Sequence, residues 1–160
     1  MTTLYLLRHA HAGNPEKFSG DDAARPLSEK GRRQAERLGR ALASFGEAPD
    51  LFVTSPKVRA EETARIVAQA VGAKVVVDPR LGGGFDAEAI AEILAAAGSA
   101  DRPCLVGHDP DFSEVLAELI GVSEVPMRKG ALARIDFPGP MRAGRGVIRV
   151  LLPPELLPTA

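Results

Sequence analysis

The chain has 160 residues and nearly balanced charge, with 20 lysines and arginines against 21 aspartates and glutamates. Its hydrophobic fraction of 45% suits one folded domain with a buried core and excludes a largely disordered chain. Nucleic-acid binding calls for a basic stripe with aromatic platforms, but aromatic residues make up only 4% of this sequence. We therefore expect no nucleic-acid partner and no attraction to anionic lipid.

Cysteine usage and the amino-terminal segment bear on the cellular compartment. Cys104 is the single cysteine, so no internal disulfide can form, and its apolar neighbours favour a buried thiol. The amino-terminal apolar run has no basic region before it and is interrupted at Arg8 and His9, unlike a signal peptide or a membrane span. We expect a cytoplasmic protein without a membrane partner, and nothing in the sequence demands more than a monomer.

The first part of the chain alternates strand and helix patterns. An apolar run at residues 4–7 predicts a buried strand, and residues 11–27 have the composition of a loop. Ser28 is typical of a helix N-cap. The apolar residues after it are spaced as on one helix face: Ala35, Leu38, Leu42 and Phe45.

The same alternation continues to the carboxyl terminus. Further strands are predicted at 51–53, 75–77 and 103–106, and further helices at 58–71, 87–97 and 112–120. Two late apolar runs, 131–137 and 147–152, predict a strand pair. The fold class is therefore α/β: a single three-layer domain over residues 1–160, with a mainly parallel central sheet and helices on both faces.

Polar side chains follow the predicted strands at their carboxyl ends. Arg8 and His9 follow the first strand, Ser55 and Arg59 the second, and His108 the fourth. Because parallel strands end at one edge of the sheet, these residues can converge. Two arginines and two histidines around one point make a site for a dianion, most simply a phosphoryl group.

Three segments resemble the signatures of one known family. Residues 7–10 read Leu-Arg-His-Ala, residues 54–64 read Thr-Ser-Pro-Lys-Val-Arg-Ala-Glu-Glu-Thr-Ala, and residues 106–108 read Val-Gly-His. In this order they resemble the histidine phosphatase superfamily, which has the phosphoglycerate-mutase-like fold. The sequence looks most like its short, SixA-like phosphohistidine phosphatase branch, because of the Arg-Pro-Leu-Ser motif at 25–28 and the Gly-His-Asp-Pro motif at 107–110.

The resemblance implies a role for four residues and implies no cofactor and no metal. His9 would attack phosphorus and become a phosphohistidine, which water then hydrolyses. Arg8 and Arg59 would hold the phosphoryl oxygens, and a protonated His108 would add a third cationic donor.

Five further side chains are weaker candidates. Ser55 could cap the helix that carries Arg59 or contact phosphate, and the cap is favoured. Arg25 could form a local ion pair or help to dock an acidic or phosphorylated partner. The possible proton donors are His11, which also suits a surface loop, Asp86 and Glu88.

The proton donor is the main departure from the family pattern. Many members carry a glutamate after the third strand in an Arg-Leu-x-Glu pattern, whereas residues 80–83 here read Arg-Leu-Gly-Gly. An alkyl phosphomonoester needs a good general acid, but imidazole leaves readily from phosphohistidine once it is protonated. The missing glutamate therefore favours phosphohistidine substrates.

Three functions stay open at this point. The first is a phosphatase for phosphohistidine on a protein partner. The second is a phosphatase for a small phosphorylated metabolite, which would use the same chemistry. The third is an inactive phosphate-binding module, which the presence of His9 argues against. A mutase is disfavoured because residues 79–101 leave little room for a second phosphate site.

Overall fold

The protein is described here by a computed structural model that covers residues 1–159. One sheet of six strands forms its centre, in the spatial order β3-β2-β4-β1-β5-β6. The strands are β1 (Thr2–Arg8), β2 (Leu51–Thr54), β3 (Lys74–Val77), β4 (Pro103–Gly107), β5 (Leu132–Phe137) and β6 (Val147–Leu152). The helices are α1 (Glu29–Ala43), α2 (Val58–Val71), α3 (Ile90–Ala97) and α4 (Asp111–Ile120).

Strands β1 to β4 pair in parallel, and the late strand pair extends the sheet in the antiparallel sense. β4 lies between β2 and β1, with Leu7 opposite Val106. β5 pairs antiparallel with β1, and β6 pairs antiparallel with β5 at the sheet edge. The predicted mainly parallel α/β sheet is confirmed, and β1, β2 and β4 end side by side.

Alternating side chains of the central strands divide the core between the two faces of the sheet. Leu4 and Leu6 pack on one face against α3 and α4, where Phe112 and Leu116 are fully buried. Tyr5 and Leu7 pack on the other face against α1 and α2. Helices therefore cover both faces, as predicted, and the three layers hold the strand ends in fixed positions.

Three local predictions need correction. The first helix ends at Ala43, because Ser44 and Phe45 close tight turns onto Ala41 and Leu42; Phe45 therefore leaves the apolar face and is exposed. The predicted helix at 87–97 begins as a 3-10 turn, Ala87–Ala89, before α3. The predicted loop at 11–27 contains two further 3-10 turns, Pro15–Lys17 and Asp22–Ala24.

Two glycines let the chain pack closely beside the strand ends. A Cβ on Gly31 would lie 1.9 Å from the carbonyl oxygen of His11, so the first turn of α1 fits directly against that backbone. A Cβ on Gly107 would lie 2.5 Å from the ring of Phe112, which covers the end of β4. Both close contacts lie next to residues predicted to form the site.

The proline-rich carboxyl-terminal segment, whose role the sequence leaves open, is part of the packed fold. It forms a 3-10 turn, Pro154–Leu156, and Leu157 is buried in the cluster that includes residues of α1. Among residues 1–159, no helix is both long and apolar enough to cross a bilayer.

Candidate active site

The turn after β1 fixes the position of His9. Its backbone N–H donates to the carbonyl of Gly107 at the end of β4, at 3.0 Å, and its own carbonyl accepts from the N–H of Gly130 at 2.9 Å. The next residue, Ala10, donates its N–H to Thr63 Oγ1 at 3.1 Å, and that hydroxyl donates to the carbonyl of Arg59 at 2.7 Å. The backbone around His9 is thus tied to β4, to α2 and to the loop before β5.

The hydrogen bond of the His9 ring selects one tautomer. Nδ1 lies 2.7 Å from the carbonyl oxygen of Ala10, which can only accept, so Nδ1 carries the proton and Nε2 keeps its lone pair. Burial lowers the pKa of His9 to about 3. The hydrogen bond to Ala10 raises this pKa, whereas the charges of His108 and Arg59 lower it further. The imidazole is therefore neutral near pH 7, as a nucleophile must be.

His108 lies beside His9, with 5.2 Å between the ring centroids. Its Nε2 is 2.7 Å from Ser55 Oγ, and its Nδ1 is buried without a hydrogen-bond partner within the described chain. Burial lowers the pKa of His108 to about 4, and the charges of Lys57 and Arg59 add to this effect, whereas Asp22 opposes it. A bound dianion would favour the protonated ring, which would then act as a donor.

Ser55 has a different role from the cap favoured by the sequence. The N-cap residue of α2 is Lys57, whose side chain makes no capping hydrogen bond. Ser55 Oγ instead accepts from the N–H of Lys57 at 3.1 Å and contacts His108. The hydroxyl is directed to His108 because Ser55 is fully buried between the ends of β2 and β4. Ser55 therefore orients the His108 ring.

Arg59 and Arg25 share one carboxylate. Asp22 Oδ2 lies 3.2 Å from Arg59 Nη2, Asp22 Oδ1 lies 3.0 Å from Arg25 Nε, and the Asp22 carbonyl accepts from Arg59 Nη1 at 2.9 Å. Arg25 also donates to the carbonyls of Ala12 and Gly13. Arg25 thus forms the local ion pair that the sequence offered as one alternative, and it holds the loop that carries Asp22.

The loop after α4 and the turn before α4 together orient the side chain of Arg8. Its Nη1 donates to the carbonyl of Met127 at 2.8 Å and lies 3.5 Å from Asp109 Oδ2. Asp109 is itself held by the N–H and hydroxyl of Ser113. Within residues 1–159, the Nε atoms of Arg8 and Arg59 are buried without a hydrogen-bond partner. Unpartnered buried donors are costly, so an oxyanion that accepted from them would be stabilised.

The three proposed proton donors do not join this cluster. His11 Nδ1 lies 2.6 Å from Ser28 Oγ, at the N-cap of α1. Asp86 Oδ1 accepts from the N–H of Ala89 and caps a 3-10 turn, and Glu88 is exposed in that turn. Their participation in proton transfer stays a prediction without support from these contacts.

Sequence reasoning missed four charged residues around the cluster. Asp22 was missed because only the folded loop brings it to Arg59, and Asp109 was quoted only within the Gly-His-Asp-Pro motif, without a link to Arg8. Lys57 was quoted only as part of a signature, although its charge acts on His108. Lys129 was missed because nothing in its sequence context marks it, although partial burial lowers its pKa and the charges of Arg8, Arg25 and Arg59 lower it further.

Other parts of the surface contribute little to this chemistry. A cavity of about 300 Å³, lined by Phe45, Asp50 and Arg102 among others, lies where β2 and β4 begin, at the opposite edge of the sheet. In the part of the chain that the structure describes, no group of three or more His, Cys, Asp and Glu side chains could hold a metal ion.

The two histidines make the stability of the fold depend on pH. Their pKa values rise from about 3 and about 4 in the folded chain to 6.5 on unfolding, so the unfolded chain binds more protons between these limits. The stability they contribute is complete above pH 6.5 and is lost as the pH falls toward the folded values. The loss per histidine is at most about 1.4 kcal/mol per pH unit.

We therefore expect the free energy of unfolding of the His108→Asn variant to fall less steeply between pH 6.5 and pH 4 than that of the wild type. Urea unfolding at a series of pH values measures both slopes. Above pH 7 the two slopes should coincide, which is the internal control. Parallel curves at acid pH would show that His108 is not neutral in the folded protein.

A family model matches the first half of the chain, and sequence relatives match about half of its length. The model for the histidine phosphatase superfamily (branch 1) matches residues 4–83. A Cronobacter sakazakii protein named probable phosphoglycerate mutase GpmB is 37% identical over 82 residues, which cover 51% of this chain and 37% of that protein. An 8-oxo-(d)GTP phosphatase of Mycolicibacterium smegmatis is 37% identical over 79 residues, 49% of this chain and 24% of that protein. The chain thus matches less than two fifths of these relatives' length.

Solved structures match almost the whole chain. A protein from Agrobacterium tumefaciens, provisionally assigned as the phosphohistidine phosphatase SixA, superposes with a TM-score of 0.76 at 27% identity, covering 94% of this chain and 97% of that one. A protein histidine phosphatase SixA complexed with tungstate superposes with a TM-score of 0.80, covering 96% and 97% of the two chains. Its identity of 22% supports the shared fold alone.

Proposed function

The chain belongs to the histidine phosphatase superfamily, and from its site geometry we propose that it is a phosphatase that removes the phosphoryl group from phosphohistidine on a protein partner. The catalytic residues of the proposal are His9, Arg8, Arg59 and His108. No cofactor enters the reaction that we propose. The observation that carries the proposal is the Nδ1 contact of His9 with the Ala10 carbonyl, which leaves Nε2 of a neutral ring as the nucleophile.

The first step transfers the phosphoryl group to His9. Nε2 of His9 donates its lone pair to phosphorus while the bond from phosphorus to the substrate imidazole breaks. Arg8, Arg59 and His108 surround the transferred group and stabilise its negative oxygens. The leaving imidazole keeps the electron pair of the broken bond and takes up one proton from solvent water.

The second step returns His9 to its starting state. A water oxygen attacks phosphorus while the bond from phosphorus to Nε2 breaks, the electron pair of that bond returns to Nε2, and the phosphate leaves with the protons of the water. The hydrogen bond from Nδ1 to the Ala10 carbonyl keeps the ring in one orientation through both steps. The positive charge of the phosphorylated ring is stabilised by the same carbonyl, which accepts from Nδ1.

The shortage of a proton donor favours phosphohistidine over an alkyl phosphomonoester. Asp22 is close to the site, but a hydrogen bond from Arg25 lowers its pKa, and the charge of Arg59 adds to this, so it stays ionised. The position that carries glutamate in the resembled pattern is Gly83, which has no side chain. An alkoxide leaving group would therefore depart without general-acid help, whereas imidazole requires less.

A small-metabolite phosphatase is the second candidate, because the curated relatives include an 8-oxo-(d)GTP phosphatase.

The segment between β3 and β4 makes a mutase less suitable. Residues 78–102 hold short 3-10 turns and one eight-residue helix, with no long insertion for a second phosphate site.

A substrate panel tests the proposal. We expect the wild-type chain to hydrolyse a phosphohistidine-bearing protein at least about tenfold faster, in kcat/KM, than any alkyl phosphomonoester, since general-acid catalysis typically contributes more than that. Release of inorganic phosphate measures both reactions. Faster turnover of one small metabolite would transfer the assignment to the second candidate, and inactivity on the whole panel would favour a binding module.

A further inference from the structure

The loop between α4 and β5 lies directly against the turn that carries the nucleophile. The carbonyl of Met127 accepts from Arg8 Nη1, and the N–H of Gly130 donates to the carbonyl of His9 at 2.9 Å and to that of Arg8 at 3.1 Å. The N–H of Arg8 in turn donates to the carbonyl of Ala131 at 3.1 Å. The residue between these anchors, Lys129, is therefore held at the rim of the site by its own backbone.

Lys129 brings a further positive charge to the edge of the site, because the residue that follows it bonds to the backbone of Arg8 and His9. Partial burial lowers its pKa, and the positive charges of Arg8, Arg25 and Arg59 lower it further. These three arginines come from the end of β1, the loop before α1 and the first turn of α2. The charge of Lys129 also acts on His11, which lies on the α1 side of the site.

Lys129 differs in this respect from its neighbour in sequence. Arg128 is exposed and pairs with Glu155 in the carboxyl-terminal segment at 3.6 Å. Lys129 is also exposed, but within residues 1–159 no carboxylate approaches it closely enough to form an ion pair. Asp109 pairs with Arg8, and Asp22 pairs with Arg25 and Arg59, whereas the charge of Lys129 stays available for a bound anion.

The buried donors already account for the transferred phosphoryl group. Arg59, His108 and His9 are each less than a tenth exposed, whereas Lys129 is exposed at the rim. When the phosphoryl group of a substrate is bound in the site, the rest of the substrate lies along this rim. An anion next to the phosphoryl group would thus meet Lys129 without competing for the inner donors.

We propose that Lys129 binds a second anionic group of the substrate, namely a carboxylate side chain that lies next to the phosphohistidine on the partner protein. This inference rests on the proposed function for the identity of the partner. It adds a preference for phosphohistidines that have acidic neighbours. Arg8, Arg59 and His108 cannot provide this preference, because in the proposed complex they contact the phosphoryl group itself.

Two small ligands test the contact without any turnover. Methylphosphonate presents a phosphoryl-like group alone, and phosphonoacetate adds a carboxylate beside it. We expect isothermal titration calorimetry to show that Lys129→Met weakens phosphonoacetate about five- to tenfold and methylphosphonate less than twofold, in the range of a single charged contact. Arg128→Met is the matched control and should leave both affinities unchanged.

Kinetics on phosphohistidine peptides connect the contact to substrate choice. With a glutamate beside the phosphohistidine, Lys129→Met should raise KM about fivefold and leave kcat within twofold, whereas a peptide with glutamine there should give the same KM for both proteins.

Each outcome of these measurements decides one of the two proposals. Equal weakening of both phosphonates would place Lys129 on the phosphoryl group and overturn the inference. An unchanged phosphonoacetate affinity would overturn it too, as would a wild-type chain that binds neither ligand. Selective loss of phosphonoacetate binding in a chain that does not hydrolyse phosphohistidine would keep the second-anion contact and refute the proposed function.

Discussion

Replacing His9 with alanine is expected to lower phosphatase turnover at least about a thousandfold, because the reaction then has no group to receive the phosphoryl group. His9 is buried and neutral, its Nδ1 bonds to the Ala10 carbonyl, and its free Nε2 is the proposed point of attack. Rapid-quench mass spectrometry under alkaline conditions should find a phosphate on His9 of the wild-type chain during turnover. The same measurement should find none on the alanine variant.

His11→Ala is the matched control for the loss of a nearby imidazole. His11 bonds to Ser28 at the start of α1, so this variant should retain activity within about threefold. If the His9 variant kept more than a tenth of the wild-type rate, or if the label appeared on His108, the proposed nucleophile would be wrong.

Introducing glutamate at position 83 is expected to raise alkyl phosphomonoester turnover at least about tenfold, because it supplies the missing general acid. A Cβ on Gly83 has open space around it, and the φ of 163° is extended backbone that any residue adopts. The adjacent Gly82 lies beside Pro56 and Ser55, and Ser55 contacts His108, so position 83 is on the same side of the sheet edge as the site. Phosphohistidine turnover should change much less, since its leaving group needs less help.

Gly83→Gln separates proton donation from added bulk. It places a side chain of the same length at the same position but has no proton to give, so monoester turnover should stay at the wild-type level. A rise with glutamine equal to the rise with glutamate would argue for altered substrate binding. No change with either variant would show that the missing acid does not limit substrate choice.

Sequence patterns predicted the bounds of an element correctly where the residues next to its end determine where it stops. Helix α2 runs over Val58–Val71, the range its periodicity predicted, because Gly72 adopts the left-handed conformation that ends a helix. Phe45 shows the limit of the same method: its spacing continues the helix face, but the chain leaves the helix after Ala43. Spacing cannot reveal where tight terminal turns replace the helical hydrogen bonds.

The sequence predicted those site residues that directly follow parallel strands, because such strands end at one edge of the sheet. That rule placed His9 and His108 at one edge of the sheet, and the structure has their rings 5.2 Å apart. The rule says nothing about side chains that loops deliver, which is why Asp22 and Lys129 were missed. The direction of Ser55 toward His108 likewise depends on side-chain packing between β2 and β4.

The shared carboxylate of Asp22 has a consequence for product release. Arg59 Nη1 and Nη2 already contact Asp22 in the free protein, so an incoming oxyanion can accept from the free Nε but must compete with Asp22 for the other two nitrogens. Such competition weakens substrate and inorganic phosphate alike, because both present similar oxygens to Arg59. When phosphate departs, Asp22 can take its place on Arg59, so the guanidinium is never left unpaired. The internal ion pair therefore favours rapid clearance of product over tight retention.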